Sequence, residues 1–442
     1  MTPLERMAAA LDGGVPDRVP VFLRDLTLGL DVAGYSTPEV CAGEFDAERS
    51  ARSVIAAQRE LGHDAVVGSI QFCGMEVEML GGELKFPPYG IPSIVRHPLD
   101  SPEKVDAAEL PDPLREAPLS NLVRSYQLVS ERIGKKVAIL GNVEGPLTKA
   151  GILRGLDVLS LDLVSNPDIF RKILQHSNQL AVDLSAALSV SGVNLAMFVA
   201  AATDNPDLFG KDVFQRYTIP GLRIIVNDAE KRGCPVIFHP HGTFSHGEFA
   251  GLVDDALGTG IAGFQFAEEN DLGMAKRRWG DRACILGGVN AFTTLLLGPL
   301  NAIREETINC LNSCMEGGGY VLMCSCSLHR GMPLDHIREM IQTCASHGIY
   351  EKTTGRRSGG GDTGRSGKGR SRWSLCPSCG RHYHTLMARG LACAGCPSSI
   401  RGCMLTRCPH CDTESSLDPS MARRMMSVLR DYRRQFGQSS FR

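Results

Sequence analysis

Eight short apolar runs divide the first 350 residues, and after each the apolar positions recur with helical spacing. The runs are 19–23 (VPVFL), 64–70 (DAVVGSI), 136–140 (KVAIL), 193–199 (VNLAMFV), 234–238 (CPVIF), 262–267 (AGFQFA), 283–288 (ACILGG) and 320–324 (YVLMC). They are apolar on both faces rather than alternating, as strands buried in a parallel sheet are. Segments 165–188 and 212–233 carry the clearest helical periodicity. The alternation predicts an α/β fold, and eight strands in this length favour a closed (β/α)8 TIM barrel. An open doubly wound sheet is the alternative.

The pattern stops after Tyr350. Segment 355–372 (GRRSGGGDTGRSGKGRSR) has no apolar side chain with which to join a core and reads as a flexible linker. The predicted organisation is therefore a barrel over 1–350, a basic linker over 351–373 and a small cysteine-rich metal-binding domain over 374–416. A basic amphipathic helix over 417–442 completes it. No internal repeat with a period of 20 to 50 residues is present.

Charge sharpens this division. Residues 351–442 hold 17 Lys/Arg against 6 Asp/Glu, leaving 30 against 43 in the barrel segment. The parts either attract each other or serve different partners. A charged amino terminus (MTPLERMAAALDGG) and the lack of any eighteen-residue apolar run point to a cytoplasmic protein that does not cross a membrane. Seven of the 16 cysteines fall between Cys376 and Cys411, which in a reducing cytosol reads as a metal site.

In a barrel the carboxyl ends of the strands face the active site. The fifth run leads into His239-Pro240-His241, and two imidazoles two residues apart at a strand end can supply two nitrogen ligands. The eighth ends in Cys324-Ser325-Cys326, a source of a soft third ligand. Three protein ligands leave a fourth zinc position for water or substrate, the mark of a catalytic site. The bland alternative is a pair of histidines bonded to backbone carbonyls.

Several stretches carry a resemblance. Asp17-Arg18-Val19-Pro20, GMEVEMLGGELKFPPYGIPSI (74–94), LPDP (110–113), GNVEGPLTKAG (141–151), HPHG (239–242), AEENDLGMAKRRWGDRACILGGVN (267–290) and CSCSLHRGMPLDHIREMI (324–341) follow one another in the order of the uroporphyrinogen decarboxylase superfamily. Within it the chain from Pro3 to about Tyr350 is most similar to the cobalamin-linked methyltransferases. The resemblance implies zinc ligands at His239, at His241 where relatives carry a cysteine, and at Cys326. It also implies an acidic residue after the sixth strand, here Glu268, as a zinc-contacting or proton-handling group. Candidate substrate contacts are Arg24, Asp25, Asn142, Glu144, Phe198 and Asp204. Asp204 lies near Ala201-Ala202, where relatives often have Asp-Pro. The decarboxylase's arginine-rich segment is reduced here to Arg24 and Asp25, which argues against porphyrinogen decarboxylation.

The implied reaction moves a methyl group between a corrinoid and a small methylated donor or a thiol acceptor. The chain has no Asp-x-His-x-x-Gly segment, the usual lower-ligand motif of corrinoid carriers, so the cobalamin would come from a partner protein. Two further readings stand beside this one: a decarboxylase-like lyase, and a non-catalytic barrel using its tail as an interaction module.

In the tail, Cys376-Pro-Ser-Cys379 and Cys408-Pro-His-Cys411 form two CPxC knuckles, a zinc-ribbon signal. Cys393, Cys396 and Cys403 lie between them and would complete a second zinc site or hold an iron–sulfur cluster. The basic charge invites nucleic acid, but with few interleaved aromatics, docking on the acidic barrel or a corrinoid protein is the favoured reading.

Overall fold

The computed structural model describes residues 1–350 and, beyond them, 373–376, 378, 382–384, 405–408, 411 and 413–416. The barrel strands are β1 (Ala65–Val67), β4 (Ala138–Glu144), β5 (Met197–Ala201), β6 (Val236–Pro240), β7 (Gly263–Gln265), β8 (Cys284–Val289) and β9 (Tyr320–Cys324). They form one parallel sheet in the order β1-β4-β5-β6-β7-β8-β9. A hairpin of β2 (Glu83–Lys85) and β3 (Ser93–Arg96) is inserted after β1.

The run at 19–23 does not form a ladder. It meets the two sheet edges through single parallel bridges, Val21 with Leu322 and Phe22 with Ala65, and so closes the barrel as its eighth stave. The local reason is a shortage of donors. Pro20 has no N–H, and the Val21 N–H is taken by the Asp64 carboxylate at 2.8 Å.

Other departures also have causes. The second run ends at Val67 because Gly68 lies under the Tyr126 ring, where a Cβ would come within 2.3 Å of a ring carbon. In the predicted helix over 212–233 the chain makes a wide π turn at Phe214–Thr218 before the α-helix Ile219–Lys231. Pro220 cannot donate back along the chain, which favours the irregular turn there.

Long apolar side chains fill the barrel. Phe22, Phe198, Phe238 and Phe264 are fully buried, and Phe22 meets Phe198 edge-on at 5.8 Å. At the strands' amino ends, Arg6 and Arg18 both pair with the buried carboxylate of Asp64. Chemistry in this fold sits at the opposite end, and this network reads as stabilising. Among the described residues no helix is long and apolar enough to cross a membrane.

Beyond the barrel, β10 (Trp373–Leu375) pairs antiparallel with β11 (His382–His384), and β12 (Leu405–Arg407) with β13 (Glu414–Ser416). Trp373 is thus already part of the first hairpin rather than of the linker. The predicted terminal helix, Cys379, Cys393, Cys396 and Cys403 lie outside the described residues.

Candidate metal centre

β6 delivers His239 from its last turn of pleat and His241 just beyond it, so both imidazoles lie on one side, 4.9 Å apart between ring centroids. Two residues past β9, Cys326 completes the group. The ligand atoms of His239, His241 and Cys326 all lie within 4.8 Å of one another, and His241 Nε2 is 3.7 Å from Cys326 Sγ.

The orientation of His239 is informative. Its Nδ1 faces the Gln265 carbonyl oxygen at 3.4 Å, which favours the tautomer with the proton on Nδ1. Its Nε2 is buried and, among the described residues, has no partner beyond its interaction with the Cys326 thiol. A lone pair held inside a protein without a partner is costly unless something else takes it up. Two nitrogens and one sulfur fit a tetrahedral ion such as zinc with one position left open.

Gln265, at the end of β7, also supports the third ligand. Its Nε2 donates to the carbonyls of Cys324 and Ser325 at 3.1 and 3.2 Å, holding the turn that presents Cys326. Gln265→Leu is expected to weaken metal affinity about 10- to 100-fold, the usual effect of losing such a support. Competition against a chelator of known affinity measures this, and unchanged affinity would show that the turn holds without Gln265.

Charge within the group is shared unevenly. Burial resists ionisation of Cys326, but its interaction with His239 and His241, reinforced by the Arg24 charge, brings the thiol down to about 3. Burial lowers His239. Burial also opposes the charged form of His241, yet the thiolate, with Glu269 and Glu268 behind it, holds this ring above its ordinary value. The site thus presents a thiolate and a neutral His239 as ready ligands.

The other predicted residues divide. Arg24 is buried. Its Nε donates to Asn142 Oδ1 at 2.9 Å, and its guanidinium stacks 5.1 Å from the centre of the Phe198 ring. Phe198 in turn lies 5.7 Å from His239, which brings Arg24, Asn142 and Phe198 beside the metal group. No carboxylate among the described residues pairs with Arg24.

Asp25, Glu144 and Asp204 are engaged elsewhere. Asp25 accepts from the Leu28 N–H at 2.7 Å, and burial raises its carboxyl to about 7 against the pull of backbone N–H groups. Glu144 pairs with Lys149 at 3.0 Å. Asp204 is wholly buried and accepts from Leu147 N, Thr148 N, Thr148 Oγ1 and Thr218 Oγ1. Its oxygens thus serve the first turn of the helix Pro146–Arg154. Glu268 lies outside the three-ligand group and lines a cavity of about 220 Å³ with Asn270, Asp271, Asn290 and Glu306.

Sequence reasoning missed several neighbours. His329 Nε2 lies 2.8 Å from Ser327 Oγ, which lies 3.8 Å from Cys326 Sγ. Its Nδ1 is 3.2 Å from Thr27 Oγ1, and burial, followed by the Arg24 charge, lowers it to about 4. A signal was available: His329 follows Cys326 by three residues in a loop at a strand end. Lys149 is a second omission. It bonds Glu76 at 2.6 Å as well as Glu144, with all three side chains buried.

The family model for uroporphyrinogen decarboxylase (URO-D) matches residues 2–347. This chain belongs to the uroporphyrinogen decarboxylase family. Within that family it is 26% identical over 343 residues to the methylcobamide:CoM methyltransferase MtaA of Methanosarcina barkeri, covering 76% of this chain and 95% of the relative. It is 23% identical over 357 residues to the methylcobamide:CoM methyltransferase MtbA of Methanosarcina acetivorans, covering 79% and 99%. The uroporphyrinogen decarboxylase of Coxiella burnetii is 21% identical over 266 residues, covering 58% and 70%. A solved methyltransferase structure from Methanosarcina mazei superposes with a TM-score of 0.68 at 24% identity, covering 78% of this chain and 99% of the other, which confirms the fold.

Proposed function

We propose that this member of the uroporphyrinogen decarboxylase family is a zinc-dependent methyltransferase. It exchanges a methyl group between the corrinoid of a partner protein and a small thiol acceptor or methylated donor. The observation that carries the reading is the convergence of His239, His241 and Cys326 at the carboxyl end of the barrel. The methylcobamide:CoM methyltransferases among its relatives support the choice of chemistry.

Zinc bound there, with one open position, would lower the pKa of a bound thiol or polarise a bound ether oxygen. His241 contributes a neutral imidazole where the resemblance leads one to expect a thiolate. Fewer anionic ligands favour activation of the substrate over nucleophilicity of a bound sulfur. Phe198 packs against the ring of His239. Glu268, which lines the adjoining strand-end cavity and acts on the charge of His241, is assigned the acid–base role.

Arg24 is the group for an anionic substrate. Its Nη1 and Nη2 have no hydrogen-bond partner among the described residues. Arg24→Leu is expected to raise KM for an anionic substrate about ten- to a hundredfold while kcat changes little, the effect of losing a charged hydrogen bond. An equal fall in kcat would instead place Arg24 at the reacting atoms.

The whole reading is tested with the full-length chain, methylcobalamin and a panel of thiols including coenzyme M, following the corrinoid spectrum. Demethylation that depends on both protein and thiol, or methylation of cob(I)alamin by a methylated donor, is expected. Silence in both directions, with donors and acceptors varied, would overturn it.

A further inference from the structure

We propose that the C-terminal segment holds a second metal centre, a structural zinc ion bound by the thiolates of Cys376, Cys408 and Cys411. This site is separate from the barrel and does not depend on the reaction assigned to it.

The two hairpins place these cysteines in equivalent positions. Leu375 forms the last pair of the first hairpin with His382, and Cys376 follows it directly. Arg407 forms the last pair of the second with Glu414, and Cys408 follows it directly. Each cysteine therefore opens the turn of its own hairpin, and two separate turns are brought face to face. The three Sγ atoms lie within 4.8 Å of one another.

Cys376 Sγ and Cys411 Sγ are 3.5 Å apart. That is far beyond a disulfide bond of about 2.05 Å. It is close to the edge of about 3.8 Å expected for a tetrahedron of thiolates with metal–sulfur bonds of about 2.3 Å. The space suits one ion.

The surroundings agree. Cys376 and Cys408 are each 1% exposed and constitute a small core of their own. Modules of this size cannot bury enough apolar surface to stay folded and use a metal instead. Thr413 closes the second turn, its carbonyl accepting from the Cys408 N–H at 2.9 Å. Its hydroxyl oxygen stands 3.2 Å from Cys411 Sγ and accepts from it. The CPxC spacing also names Cys379, which lies outside the described residues. Thiolates drawn from two hairpin turns tie this small module together, the role of a structural ion.

The experiment counts metal in the purified full-length chain and its variants. Cys408→Ser should remove one zinc per chain and leave the zinc that His239→Ala removes. A variant that fails to fold would confuse this count, so a second measurement uses intact cysteines. Co(II) is titrated into metal-free His239→Ala, and saturation at one equivalent is expected, with the intense sulfur-to-metal absorption of a tetrahedral thiolate site. Binding without that absorption, no binding, iron with acid-labile sulfide, or unchanged zinc in Cys408→Ser would each overturn the proposal. A chain that gives the tail signal but no methyl transfer would leave this centre standing and sink only the activity.

Discussion

His239→Ala is expected to strip the barrel of its metal and to lower kcat/KM for methyl transfer by about a thousandfold. The magnitude follows from the several kcal/mol that a bound ion contributes to stabilising charge in the transition state, each 1.36 kcal/mol being a factor of ten. His239 is the residue to change because, among the described residues, its buried Nε2 interacts only with Cys326, itself a ligand, while Nδ1 is directed at Gln265. Removing the ring takes away one of the three ligands and, with it, an interaction with Cys326. The fold should survive, since the lost packing is against Phe198 alone among the aromatic rings besides His241. Metal content and kcat/KM must fall together. If the variant keeps its barrel zinc, or loses it and retains full activity, the assignment of the site fails.

His241→Cys provides the complementary measurement at the same position. It is expected to retain the metal while increasing the nucleophilicity of a bound thiol, because a second thiolate ligand reduces the positive charge the metal shows to substrate. Faster transfer from methylcobalamin to thiols, compared with transfer from methylated donors, is the predicted bias. An unchanged ratio of the two would show that ligand charge does not set the direction.

What could be foreseen from the chain alone depends on how far apart the cooperating residues are. His239 and His241 are two residues apart at the end of an apolar run, and strand periodicity alone puts them on one side. Cys326 joins them because the barrel gathers strand ends, a rule of the fold rather than of local sequence. Gln265 was hidden because its role rests on hydrogen bonds to residues 59 and 60 positions away. The bonding of Asp204 was hidden for a related reason. An acid beside a strand end suits a substrate contact, and its oxygens serve a helix that begins 58 positions earlier at Pro146. The first stave was legible as apolar, whereas its reduction to two bridges follows from Pro20 and the Asp64 side chain, which composition does not reveal.

Lys149→Met is expected to be the most destabilising single change outside the metal group. Lys149 is 3% exposed and lies between Glu76 and Glu144, which are exposed by 3% and 5%. Burial disfavours its charge, yet the two carboxylates hold the amine above the ordinary lysine range, so it stays protonated wherever the protein is folded. Removing it leaves two buried carboxylates facing each other, and breaking a buried pair in this way costs about 3–5 kcal/mol. The effect has a pH signature. Protonating either carboxylate relieves the repulsion, so the folded variant binds protons more readily than its unfolded chain and its stability falls as pH rises. The deficit relative to the parent should therefore be largest at neutral pH and shrink on acidification. Adding Glu144→Gln to Lys149→Met restores the single net negative charge of the group and should recover part of the loss. Denaturant unfolding of the parent, the single and the double variant at neutral and acidic pH measures all of this. A single variant as stable as its parent at neutral pH would mean that water or a rearranged loop screens the carboxylates.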